Sequence, residues 1–149
     1  MLRKIFLLCR SIELAAEKAY LKISNETNDD EQKSFWLETS RDEKGHATYW
    51  DQLLELEENG SIQNPFENPD RIVSELNAMK GEIDRMIDND NRHSDFSDLI
   101  LWASRIEFYM LHPAFAILYH ISKTDTDDIS PEDDYQDHID KFAQIVEKK

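Results

Sequence analysis

Apolar residues recur at intervals of three and four along most of the chain, the period of a helix with one buried face. Ile5, Cys9, Ile12, Ala16, Tyr20 and Ile23 predict a first helix from about Arg3 to Ile23, stopped by the turn-favouring run Ser24-Asn25-Glu26-Thr27-Asn28. The seam Trp36, Thr39, Glu43, His46, Trp50 and Leu53 predicts a second helix from about Asp30 to Glu57, with Asn59-Gly60 as its stop. Asn59 to Pro69, with Asn64-Pro65 and Asn68-Pro69, is the clearest loop. Val73, Leu76, Met79 or Lys80, Ile83 and Met86 mark a shorter amphipathic helix from about Asp70 to Ile87. The stretch from Asp88 to Asp95 is polar and reads as a loop.

The most apolar segment, from about Ser97 to Ile121, contains His112-Pro113. A proline inside a helix kinks or breaks it. The seam Ile100, Ala103, Glu107, Met110 or Leu111, Ala114 and Leu118 continues across the proline, which predicts a kinked helix. Lys123 to Ser130 reads as a loop. A last helix is expected from Pro131 or Glu132 to the C-terminus, with Tyr135, His138, Phe142 and Ile145 inward.

The sum is an all-α chain of four bundle helices plus one linking helix. With 149 residues it is expected to form a single domain over 1–149, large enough for a real core. Three glycines and four prolines leave little punctuation, which favours long helices over many short strands. The long connection between the second and third bundle helices lets those two run parallel.

Charge and cysteine content narrow the setting. A formal net charge of −15 repels phosphate backbones, so no nucleic-acid partner is expected. The one cysteine, Cys9, excludes an internal disulfide and fits a reducing, cytoplasmic setting. The apolar run after Leu2-Arg3-Lys4 ends at Arg10. It is too short to span a membrane and lacks a convincing signal cleavage site, so the mature protein is expected to start near Met1, with no membrane association.

Candidate chemistry lies where polar residues interrupt the apolar seams. Glu13 has Cys9, Ala16 and Tyr20 as stripe neighbours, so its carboxylate points toward the core. A buried charge needs a partner or changes its protonation state. Glu43 and His46, three apart on a face with Trp36, Ala47 and Trp50, deliver a carboxylate and an imidazole to one point. Glu107 sits among Ile100, Ala103, Met110, Leu111 and Ala114, and His138 shares the inward stripe with Ile139, Phe142 and Ile145. Bridging carboxylates offset the mutual repulsion of two close divalent ions. Blander readings stand beside this one. Glu13 could pair with a Lys or Arg, Glu43 with His46, and Glu107 with Arg105 or a tyrosine. His138 could be a satisfied core histidine. The spacings also hint at an internal repeat, a Glu-bearing helix followed by a helix with an x-x-His step.

The segment Ile12-Glu13-Leu14-Ala15-Ala16-Glu17-Lys18-Ala19-Tyr20, followed by Phe35-Trp36-Leu37-Glu38-Thr39-Ser40-Arg41-Asp42-Glu43-Lys44-Gly45-His46, resembles the rubrerythrin-like diiron domain of the ferritin-like superfamily. The resemblance is good over about residues 5–57 and weaker over 94–149. It implies a ferritin-like four-helix bundle with a long crossover containing an extra helix. It also implies a two-iron site with Glu13, Glu43, His46, Glu107 and His138 as ligands. At position 135 the family pattern has Glu and this chain has Tyr135, which removes one bridging carboxylate. Asp134 could substitute through its i, i+4 relation to His138, and Tyr135 could ligate iron or hydrogen-bond a ligand. Tyr20 would steady a carboxylate ligand from outside. The implied activity is reduction of peroxide or dioxygen by a non-haem oxidoreductase. With Cys9 alone there is no four-cysteine iron centre, so electrons would come from an external donor. A homodimer, another divalent metal, a metal-binding protein without catalysis, and a degenerate bundle that serves association are the remaining expectations.

Overall fold

The computed structural model describes residues 1–89, 95–109, 111–116 and 131–148, with backbone alone at 109 and 131–135. Every regular element among the described residues is helical. The chain divides into two compact units, Met1–Asp88 and Asn89–Lys149. No helix among the described residues is long and apolar enough to cross a membrane.

The first unit holds α1 (Leu2–Glu26), α2 (Asp30–Glu58) and α3 (Pro69–Asp88). The links between α1 and α2 give their direction. Arg3 meets Glu57, Arg10 meets Asp51, Ser40 Oγ donates to the Glu17 carbonyl, and Ser24 Oγ donates to the Lys33 carbonyl. One number falls as the other rises, so the two helices form an antiparallel hairpin joined at Thr27, Asn28 and Asp29. Ser24 and Ser40 are buried, and their bonds to backbone carbonyls offset the loss of water. Arg10–Asp51 is a half-exposed pair and adds little.

Local chemistry starts each helix. The Asp29 side chain accepts from the Gln32 N–H at 2.9 Å and caps α2, with Asp30 and Glu31 favourably placed in the first turn. Asn68 caps α3 by accepting from the Arg71 N–H, with Pro69 in the first helical position, where its missing N–H removes nothing. The second Asn-Pro pair thus opens the helix that sequence reading began at Asp70.

The core of this unit is aromatic. Trp36 and Trp50 are fully buried on α2. Tyr20 stacks on Trp36 with centroids 5.7 Å apart, and Phe6 lies 6.2 Å from Trp50. Such rings carry several kcal/mol of burial each, on the order of 3–5 for truncation to alanine. Val73, Leu76 and Ile83 bury the inner face of α3, which packs on α1.

In the second unit α4 (Phe96–Tyr109) packs against α5 (Pro131–Glu147). Asp95 caps α4 by accepting from the Asp98 N–H at 2.9 Å. The kink expected at Pro113 is a break instead. Regular helix ends at Tyr109, Leu111 and His112 form a turn, and helical backbone resumes at 113–116. Pro113 has no N–H to give to residue 109 and disfavours helical geometry at His112. The new start is served locally, because His112 Nδ1 accepts from the Ala114 N–H and the His112 carbonyl accepts from the Phe115 N–H. Leu111, one of two expected seam positions, is exposed, while Ala114 and Phe115 are buried. The expected reach of this helix to Ile121, with Leu118, and the loop from Lys123 to Ser130 lie outside the described residues.

Candidate metal centre

In the first unit, Glu43 and His46 leave one face of α2 one turn apart, and the antiparallel hairpin lays Glu13 of α1 against that face. Glu43 is fully buried and Glu13 nearly so. The His46 side chain keeps 18% of its surface, enough to touch solvent at one edge. His46 Nδ1 stands 3.5 Å from Glu13 Oε2 and 3.5 Å from Glu43 Oε2. One donor atom from each of the three residues falls within 4.8 Å of the others. Trp50, one turn beyond His46, gives its indole N–H to Glu13 Oε1 at 3.4 Å. Glu13 Oε2 is buried and has no hydrogen bond, because His46 reaches it at ion-pair distance without hydrogen-bond geometry.

Two carboxylates and an imidazole in so little space make a site of high electrostatic tension. Burial pushes the Glu13 carboxyl up, but the charge on His46 and polar contacts from His46, Glu43 and Trp50 outweigh it and hold it below its ordinary value. The balance favours the carboxylate form of Glu13. The same cluster acts on Cys9, whose thiol is pushed well up by burial and then by the negative Glu13. A protonated, buried thiol is a packing group rather than a nucleophile.

In the second unit the buried polar pair is Glu107 of α4 and His138 of α5. Both are nearly inaccessible, and His138 Nδ1 lies 2.9 Å from Glu107 Oε2. The His138 ring also packs at 6.5 Å on Phe142. A hydrogen-bonded Glu–His pair across two helices is self-consistent without a cation.

All five residues expected as ligands are therefore inward. Glu13, Glu43 and His46 meet in the first unit, Glu107 and His138 in the second. Among the described residues no Lys or Arg is paired with Glu13, and Glu107 is bonded to His138, while Arg105 is exposed. Tyr20 is fully buried and stacked on Trp36. The side chains of Asp134 and Tyr135, and all of His93 and His120, lie outside the described residues. Trp50, which the sequence places on the buried seam of α2, is a further participant. Its spacing of seven from Glu43, on the same face as His46, is the signal that marks it.

The donor set suits a divalent cation. Carboxylate oxygen with imidazole nitrogen accommodates iron(II), manganese(II) or zinc(II), and the positive ion would neutralise the crowded acids. Comparison with known proteins finds no matching family model and no matching curated relative.

Proposed function

We propose that this chain is a non-haem carboxylate protein binding two divalent ions, iron in the leading reading, within a ferritin-like four-helix bundle, and that it acts as an oxidoreductase on peroxide or dioxygen. The observation that carries the reading is the convergence of Glu13, Glu43 and His46 in the first unit, with donor atoms within 4.8 Å, two of the three residues buried. Glu13, Glu43 and His46 would hold one ion, and Glu107 with His138 would hold the second. A bound iron pair would supply the electrons for reduction, replenished by an external donor.

The chain's own residues supply the surroundings. Burial of Glu13 and Glu43 excludes water and strengthens each carboxylate–cation attraction. The partly exposed His46 gives small molecules an edge of approach. Glu107 and His138 satisfy one another at 2.9 Å, and a cation would have to draw on that same pair.

A second reading has a specific basis. The first unit assembles three donors by itself, and Tyr135 stands where the resembling family has a bridging Glu. One mononuclear site, storing or trapping a metal without catalysis, fits that asymmetry. Anaerobic loading with iron(II) separates the two. About two ions per chain, falling to one in the double variant Glu107→Ala/His138→Ala, with peroxide consumed by the loaded wild type, supports the two-metal oxidoreductase. One ion in both proteins with no peroxide consumption supports the binding protein. Less than one ion retained by wild type overturns both.

A further inference from the structure

Glu13 has two carboxylate oxygens in different situations. Oε1 is held by the Trp50 indole N–H at 3.4 Å. Oε2 faces His46 Nδ1 at 3.5 Å and has no hydrogen bond. The indole itself cannot swing away, because it is fully buried against Phe6 and Tyr49. Its N–H is a donor with no acceptor capacity, so it can only reinforce a negative oxygen, never compete for a cation. The helical frame supports the same conclusion. Glu43, His46 and Trp50 occupy successive turns of one α2 face, so the hairpin that brings Glu13 to its co-ligands also brings it to the indole.

We propose that Trp50 is a positioning residue for the metal centre: its indole N–H occupies Glu13 Oε1 and so presents Oε2 as the single ligand atom of that carboxylate. This rests on the metal-binding reading above. A carboxylate with both oxygens available can chelate one ion through both, while one pinned by a neutral donor binds through the other. Trp50 therefore sets the binding mode of Glu13 and leaves room in the ion's coordination sphere for further ligands.

The test uses cobalt(II) as the probe, on full-length wild type and Trp50→Phe. Phenylalanine keeps an aromatic ring in the pocket and removes the N–H. Wild type is expected to bind cobalt(II) with a defined visible spectrum. The variant is expected to bind about ten-fold or more weakly, with altered band positions and intensity that report a changed coordination number. The rise in unfolding temperature on adding cobalt(II) should shrink, beyond any change in the metal-free protein. A residue that only packs the core would lower the metal-free and loaded proteins together and leave the spectrum unchanged, which overturns the proposal. No cobalt(II) binding by wild type overturns the site itself. Should Trp50→Phe fail to fold, the wild-type indole resonances decide. With zinc(II) added, the Trp50 N–H signal should move and stay protected from solvent exchange. A signal that ignores zinc(II), in protein that binds it, overturns the proposal equally.

Discussion

At the scale of single residues, the buried carboxylates are a burden on the fold that a cation would relieve. Removing two charges from water costs several kcal/mol per ion, and their pairing repays this only with good geometry. At 3.5 Å, the His46 contacts are long for strong hydrogen bonds. Glu43→Leu should therefore make the metal-free protein more resistant to urea, by on the order of 1 kcal/mol, while abolishing stabilisation by added metal. A midpoint shifted downward would mean that Glu43 is a structural hydrogen-bonding residue. The candidate ligands were legible in the sequence because a charged side chain on an apolar seam has nowhere else to go. Glu13, Glu43, Glu107 and His138 share that anomaly. Trp50 was not legible in the same way, because periodicity gives the burial of an indole and says nothing about where its N–H points.

At the scale of elements, helices begin where side chains can replace missing backbone partners. Asp29, Asn68 and Asp95 each accept from an N–H three residues on. Asp29→Ala should destabilise the protein by about 1 kcal/mol, read as a lower thermal midpoint, and Asp29→Asn should recover most of the loss. No change in midpoint for Asp29→Ala would show that tertiary packing alone sets the start of α2. Helix positions were readable because the three-and-four period is strong in α1, α2 and α3, and the caps refined their ends by one to three residues. The Pro113 break was misread because the apolar seam runs through it in number. Seam continuity reports which face is inward, and it cannot report whether the backbone hydrogen bonds continue. Here the histidine before the proline supplies its own acceptor to the next turn.

At the scale of the whole molecule, each compact unit carries its own inward acid–histidine grouping, among the described residues three donors in one and two in the other. The chain's charge of −15 adds a general attraction for cations that no single site requires. The three donors of the first unit all lie between positions 13 and 46, on two helices joined by the shortest connection in that unit. Closing so small a loop loses little chain entropy, and pairings near in sequence form early. Refolding should therefore proceed from this end: amide protons of α1 and α2 would gain protection before those of α5 in pulse-labelled hydrogen exchange, and simultaneous protection would refute that order. In a growing polypeptide the consequence is a timing advantage. The cluster of Glu13, Glu43 and His46 would be able to assemble before the rest of the chain had left the ribosome.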